Sequence, residues 1–230
     1  MESDLDAEKQ RAADAAAQLV ENSMTVGLGT GSTVAFLLPA LAKRNLSLRC
    51  VATSPGTQRI ASQLGLRVDP FTFDRLDIAI DGADQIAPDG WLVKGGGGAH
   101  TREKVVATAA DVFVVIADSS KPVDALHSPV PLELLSFGLP ATLARIGDVH
   151  VREAPPTPDG GVLADLLGPV GDPAALTTLL DGMPGVVGHG LFPPGLVRTI
   201  LIGRGGGVER IDLPYPVSTD RSDASNAVDQ

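Results

Sequence analysis

Thr25-Val26-Gly27-Leu28-Gly29-Thr30-Gly31-Ser32-Thr33 is the stretch on which the fold turns. A short strand, Thr25 to Leu28, ends in glycines, and a segment of helical character follows from Ser32 to about Lys43, with Pro39 as a point of bending or ending. Glycines let the backbone turn tightly and aim its N–H groups at an anion, and the helix N-terminus adds partial positive charge. No lysine precedes the Ser32-Thr33 pair, so this is not a P-loop. Ser32 stands where a dinucleotide fingerprint would have its third glycine. Three hydroxyls and several amides suit one phosphate monoester better than a nucleotide. A plain strand-to-helix turn is the alternative for this segment taken alone.

The alternation extends in both directions. Upstream, Ser3 with Asp6 fits a capping box ahead of an Ala-rich helix reaching about Val20. Downstream, Leu48 to Thr53 is a strand and Pro55 to Leu64 a helix, with Pro55 near its first position and Gly65 just past its end. Leu76 to Asp81 is an apolar run expected of a central buried strand. Thr101 to about Ala110 is helical, and Val112 to Ala117 is the clearest strand of all. The pattern predicts an α/β fold: a Rossmann-like parallel sheet flanked by helices, formed by residues 1–128 and about 200–212.

Beyond Pro122 the units shorten. Strands are expected at Pro129 to Leu134, near Val149, at Val162 to Leu166, near Val186 and at Leu196 to Ile202. Helices are expected near Ala141 and from Asp172 to Leu180, with a turn at Pro155 to Gly161. Two βαβ-like units predict a smaller α+β (ferredoxin-like) subdomain over 129–199, serving as a lid or an oligomer interface. Residues 213–230 read as a mobile tail.

Composition sets the outer bounds. Of 230 residues, 43% are hydrophobic and 20% charged, a globular balance. No apolar run approaches the roughly 18 to 20 residues that a membrane span needs. Met1-Glu2-Ser3-Asp4 is neither a secretory signal nor a basic transit peptide, so a cytoplasmic location is expected. The single cysteine, Cys50, excludes an internal disulfide framework and a multi-cysteine metal site. Eighteen basic residues against 28 acidic ones give a net charge of −10, which repels nucleic acid, and 3% aromatic residues offer little for base stacking. An anionic ligand must therefore be held by local amides and a few chosen lysines.

Three more motifs carry possible chemistry. Asp81-Gly82-Ala83-Asp84 closes the central strand; its carboxylates could transfer protons, bind sugar hydroxyls, hold a divalent cation or cap a turn. Lys94-Gly95-Gly96-Gly97-Gly98 runs through Ala99-His100-Thr101-Arg102 to Glu103-Lys104. Its backbone can wrap closely around a small ligand, with Lys94 a cation and Glu103 either a base or an ordinary first-turn helix acid. Lys121 follows the strand ending in Ala117-Asp118. The Gly29–Thr33 turn, Asp81 and Lys121 each follow a strand, so all reach one sheet edge. That set suits proton transfer on a sugar phosphate. His100, His127, His150 and His189 share no ligand spacing, which argues against a metalloenzyme.

These blocks, in this order, resemble ribose-5-phosphate isomerase of the type A family, over roughly residues 5 to 210. The resemblance implies interconversion of D-ribose 5-phosphate and D-ribulose 5-phosphate in the pentose phosphate pathway, with no metal and no organic cofactor. It implies Glu103 as the base that moves a proton between C2 and C1 through a cis-enediolate. Asp81 and Asp84 assist ring opening and hydroxyl proton traffic, and Lys94 with the Gly95, Gly96 and Gly97 amides stabilises the enediolate. Thr30, Gly31, Ser32, Thr33, Gly82, Ala83 and Lys121 line the substrate site, and Lys9 reaches the phosphate. A homodimer or homotetramer is implied, with no nucleic-acid or membrane partner.

Two departures stand out. His100 occupies a position where relatives often carry an apolar residue; either as a cation it lowers the pKa of Glu103, or it is a tolerated residue behind the site with no part in tuning it. Thr53-Ser54-Pro55-Gly56-Thr57 is looser than the family's serine-rich loop. A non-catalytic sugar-phosphate sensor is the main alternative. Asp81, Asp84, Lys94 and Glu103 are all present, where a sensor could have lost them.

Overall fold

The computed structural model describes residues 2–214. The first half contains α1 (Glu2–Ala17), β1 (Thr25–Leu28), α2 (Ser32–Lys43), β2 (Arg49–Ala52), α3 (Pro55–Gln63) and β3 (Leu76–Gly82). A hairpin of β4 (Gln85–Ile86) and β5 (Leu92–Val93) follows, then α4 (His100–Ala109) and β6 (Ala110–Asp118). Next come β7 (Val130–Leu134), α5 (Leu139–Ile146), β8 (Val149–Val151), β9 (Val162–Leu166), α6 (Pro173–Asp181) and β10 (Val186–His189). The described chain closes with β11 (Leu191–Phe192), a 3₁₀ turn at Pro194–Leu196, β12 (Thr199–Arg204) and β13 (Gly207–Asp212).

The principal sheet has the order β13-β12-β6-β3-β1-β2, parallel throughout except for the β12–β13 pair. Its central strands are apolar on both faces because both faces are covered. Val26, Leu28, Ile78, Ile80, Val114 and Ile116 pack on the side of α1 and α2, where Ala12, Ala13 and Ala16 let α1 lie close. Val51, Ala79, Val115, Ala117, Ile200 and Ile202 pack on the other side with Val106 and Ala107 of α4. Each Val-, Leu- or Ile-sized side chain so buried contributes about 1.5–3 kcal/mol.

β1 lies between β2 and β3. The chain therefore leaves β1 in one direction and returns on its other side, opening a crevice at the carboxyl ends of β1 and β3. Gly29 to Thr33 and Asp81 to Asp84 both emerge there. This is the α/β class that the sequence predicts.

A second sheet, β10-β7-β9-β8, is wholly antiparallel and carries α5 and α6 in the ferredoxin-like β-α-β-β-α-β order. A third, β11-β5-β4, joins Leu191-Phe192 to the segment before the glycine loop.

Several local expectations change. α1 begins at Glu2, so Ser3 lies inside the helix and not at its cap, and the helix stops at Ala17. Pro39 does not end α2, which continues to Lys43 because Leu37, Leu38, Ala40 and Leu41 around it are buried. The strand expected from Leu196 starts at Thr199, after the 3₁₀ turn. Of the expected tail, the Leu213 N–H bonds Arg198 O at 3.0 Å, and residues 215–230 lie outside the described part. No helix among the described residues is long and apolar enough to cross a membrane.

Gly27 marks where α4 crosses β1, since a Cβ there would overlap Val106 Cγ1. Gly27→Ala is expected to lower the unfolding free energy by about 1–3 kcal/mol, read as a lower urea midpoint at unchanged slope. A midpoint equal to wild type would contradict this packing.

Candidate active site

The crevice is built around one buried ammonium. Lys94 follows β5, Asp81 sits near the end of β3, and Glu103 lies in the first turn of α4. All three side chains are buried, at 2–4% exposure. Lys94 Nζ lies 2.9 Å from Asp81 Oδ2 and 3.2 Å from Glu103 Oε2, and it donates to Gly82 O at 2.5 Å. An ammonium has three donors: Asp81 and Gly82 O take two, and Glu103 faces the ammonium as an ion pair without good hydrogen-bond geometry. The other Asp81 oxygen accepts the N–H groups of Thr30 at 3.0 Å and Gly82 at 2.7 Å. Asp81 thereby clamps the β1 and β3 termini together. Lys94 Nζ also lies 5.4 Å from the Phe192 ring centroid, and Lys104 Nζ 5.1 Å from it.

The electrostatics follow from this crowding. Burial pulls Lys94 down, but the Asp81 and Glu103 charges outweigh it, so its pKa is raised and it stays an ammonium. Burial raises Asp81 against the pull of Lys94 and the two amides. Burial and then the Asp81 charge raise Glu103 to about 8, with Lys94 opposing. Glu103 Oε2 makes no hydrogen bond of good geometry among the described residues. A carboxyl with a pKa near the working pH and a loosely held oxygen is suited to exchanging a proton.

The glycine loop forms one wall. At Gly95, φ is +99° and a Cβ would fall on the His100 side chain, so only glycine fits. The Gly96 N–H donates to Asp84 Oδ2 at 2.7 Å. On the outer side, Arg152 Nη1 donates to Gly95 O at 3.2 Å and Gly96 O at 3.0 Å, while its Nε and Nη2 hold Asp165 at 2.8 and 2.7 Å.

The far end is shaped for an anion. α2 starts from Gly31, which has no side chain to cap the first-turn amides. The Thr30 hydroxyl faces those of Thr53 at 2.8 Å and Thr57 at 3.2 Å, and Thr57 Oγ1 donates to Gly29 O at 2.9 Å. The Thr53–Thr57 loop therefore buttresses the β1 turn from behind.

Thr30, Gly31, Ser32 and Thr33 line one side of the cleft, and Gly82, Ala83, Asp84 and Lys121 another. Lys94, Gly95, Gly96, Gly97 and Glu103 complete it. Asp81 lies beneath Lys94 and is not among the lining residues. Lys9 is not among them either: it sits on α1, and its ammonium pairs with Asp6 at 3.0 Å. His100 is fully buried, and burial with the nearby Lys104 and Arg152 charges pushes it down to about 3. It is therefore neutral, which overturns its expected role as a cation that lowers Glu103. Arg152 and Asp165 escaped the sequence reading, in which no local pattern marks them. Thr53 and Thr57 appear there only as part of a loop looser than the family's serine-rich one.

The family model described as ribose 5-phosphate isomerase A (phosphoriboisomerase A) matches residues 49–207. The ribose-5-phosphate isomerase A of Natronomonas pharaonis is 40% identical over 218 residues, covering 89% of this chain and 96% of that protein. The solved ribose 5-phosphate isomerase A of Methanocaldococcus jannaschii is 31% identical with a TM-score of 0.84, covering 89% of this chain and 97% of the other. A D-ribose-5-phosphate isomerase structure in complex with phospho-erythronic acid is 28% identical with a TM-score of 0.85, covering 90% and 99%.

Because Glu103 is raised from 4.5 to about 8, the folded state holds its proton where the unfolded chain has released it. That stabilisation is complete below about pH 4.5 and is lost as pH rises through about 8. Glu103→Gln has no proton to lose. Its melting temperature relative to wild type is expected to climb between pH 5 and pH 8.5, as followed by circular dichroism; a flat or falling difference would contradict the buried placement.

Proposed function

Since the chain belongs to the ribose 5-phosphate isomerase A family, we propose that Glu103 is the base with which it interconverts D-ribose 5-phosphate and D-ribulose 5-phosphate. The observation that carries this is the Glu103 carboxyl, raised to about 8 and 3.2 Å from a permanent ammonium in a cleft that ends at an uncapped helix N-terminus.

In this reading the phosphate rests on the first-turn amides of α2 with Ser32, Thr33 and Lys121, and Thr30 and Gly31 shape the turn. The open-chain sugar then extends toward Glu103 and the glycine loop. Asp84, which lines the cleft, serves ring opening and hydroxyl protons; Asp81, underneath, acts by fixing Lys94. Glu103 removes the C2 proton of the aldose, the C–H pair becomes the C1=C2 bond of a cis-enediolate, and the C1=O1 π pair moves onto O1. The same carboxyl returns the proton to C1 while the O2 hydroxyl proton passes to O1, leaving the ketone at C2. Negative charge on the enediolate oxygens meets the Gly97 amide and the field of Lys94, with the Gly96 amide holding Asp84 in place and Gly82, Ala83 and Gly95 shaping the walls. Fixed donors of this kind are worth about 10²–10³-fold each in rate.

The base must be ionised to act, so kcat/KM is expected to rise with pH toward a plateau, with an apparent pKa near 8. Glu103→Gln should lower kcat by roughly 10³-fold, with EDTA present throughout. Full activity in Glu103→Gln would move the base elsewhere; binding of ribose 5-phosphate without turnover in wild type would favour the sensor.

A homodimer or homotetramer, in the cytoplasm, is part of the same proposal. It is supported by Phe137 and Leu135, 90% and 50% exposed just after β7, too apolar to face water without purpose. Sedimentation should show an oligomer that Phe137→Glu weakens; a wild-type monomer at micromolar concentration would overturn it.

A further inference from the structure

Arg152 belongs to the antiparallel four-stranded sheet, yet its side chain ends on the wall of the crevice. It follows β8, and its N–H bonds Leu163 O at 2.9 Å, just before the central part of β9. Two guanidinium nitrogens hold Asp165 of β9, and the third donates to two consecutive carbonyls of the glycine loop, Gly95 O and Gly96 O. The ion pair is mostly buried, with side chains 19% and 16% exposed.

Peptide planarity gives this contact a consequence. The single cis peptide bond among the described residues is Ser128–Pro129, so the Gly95–Gly96 and Gly96–Gly97 bonds are trans. In a trans peptide the N–H points opposite to the C=O. Carbonyls drawn outward to Arg152 therefore turn the N–H groups of Gly96 and Gly97 the other way. The Gly96 N–H is indeed on Asp84, on the cleft side, at 2.7 Å. The Gly97 N–H has no hydrogen-bond partner among the described residues. Glycines would not hold such an orientation themselves, since they have the largest conformational freedom to lose.

We propose that Arg152, braced by Asp165, is a positioning residue that aims the Gly97 amide at the enediolate oxygens while keeping the Gly96 amide on Asp84. The proposal rests on the reading of the glycine loop as the oxyanion site. It assigns the antiparallel unit a part in turnover: one planar fork holds both a carboxylate and a loop. Lysine cannot reproduce this, because its ammonium is a point charge without a planar fork.

The test compares wild type with Arg152→Met, Arg152→Lys and Asp165→Asn. For each, kcat and KM for ribose 5-phosphate, the melting temperature, and the Kd values of phospho-erythronic acid and neutral phospho-erythritol are measured. The acid's carboxylate presents two coplanar oxygens sharing a negative charge, much as the cis-enediolate presents O1 and O2 from its two adjacent trigonal carbons; the alcohol lacks that anionic pair and keeps the phosphate end.

Arg152→Met is expected to lower kcat by about 10- to 100-fold while KM and phospho-erythritol affinity stay within about threefold, and affinity for the acid falls with kcat. Arg152→Lys should regain the melting temperature but not kcat, and it decides the matter if Arg152→Met does not fold. Asp165→Asn should fall between wild type and Arg152→Met. A kcat within about twofold of wild type in Arg152→Lys, or losses shared equally by phospho-erythritol, would overturn the positioning role. Wild type that binds both compounds alike would overturn the oxyanion reading and this proposal with it, a failure visible without any substitution.

Discussion

A lysine ammonium sealed between two carboxylates is the constraint on which the rest of this molecule depends. Removing one charge from water costs several kcal/mol, so Lys94 is tolerable only among close polar partners. Asp81 and Gly82 O accept from it, and Glu103 pairs with its charge at 3.2 Å. Those partners come from β3 and α4. The strand end, the glycine loop and the helix start must therefore meet at one point. Two negative charges around one positive charge leave a surplus, and it is relieved by raising Glu103. The raised pKa of Glu103 is thus a product of the packing.

Topology explains why this happens where it does. The order β2-β1-β3 opens the crevice, and the α2 N-terminus and the Lys94–Glu103 pair approach it from different elements. The antiparallel unit reaches the glycine loop through Arg152, held by Asp165, and reaches α4 through Asp159 of the β8–β9 connection, which pairs with Arg102. The small sheet β11-β5-β4 ties Leu191-Phe192 to the strand that delivers Lys94. Motion of one unit relative to the other would be felt first at Gly95 and Gly96.

The parts legible in the sequence are those whose physics is local. The β1–turn–α2 unit announces itself by glycines between a strand and a helix, and Lys94 to Glu103 by a glycine run bounded by ionisable groups. Long apolar runs gave β3 and β6. Periodicity has no purchase on two-residue strands, so β4, β5 and β11 went unseen; β13, exposed on an edge, was also missed. Asp81 and Asp84 are equivalent as sequence, and only the position of Lys94 makes one buried and the other open to the cleft. Arg152 meets carbonyls 56 and 57 residues earlier in the chain, across two sheets, which no local pattern encodes. Lys9 shows the opposite limit: a charge expected at the phosphate is engaged by Asp6 on its own helix.

The sealed state of Lys94 also bears on chemical durability. An enzyme that opens a sugar ring works beside a free aldehyde, and aldehydes condense with neutral amines to form Schiff bases. Lys94 lines the cleft, but its raised pKa and its pairing with Asp81, Gly82 O and Glu103 deny it the lone pair needed for that attack. Lys104, lowered to about 8 by burial, is the more nucleophilic amine, and it is not among the residues lining the cleft. On the proposed reading, the arrangement that sets up proton transfer therefore also shields Lys94 from glycation by an aldose.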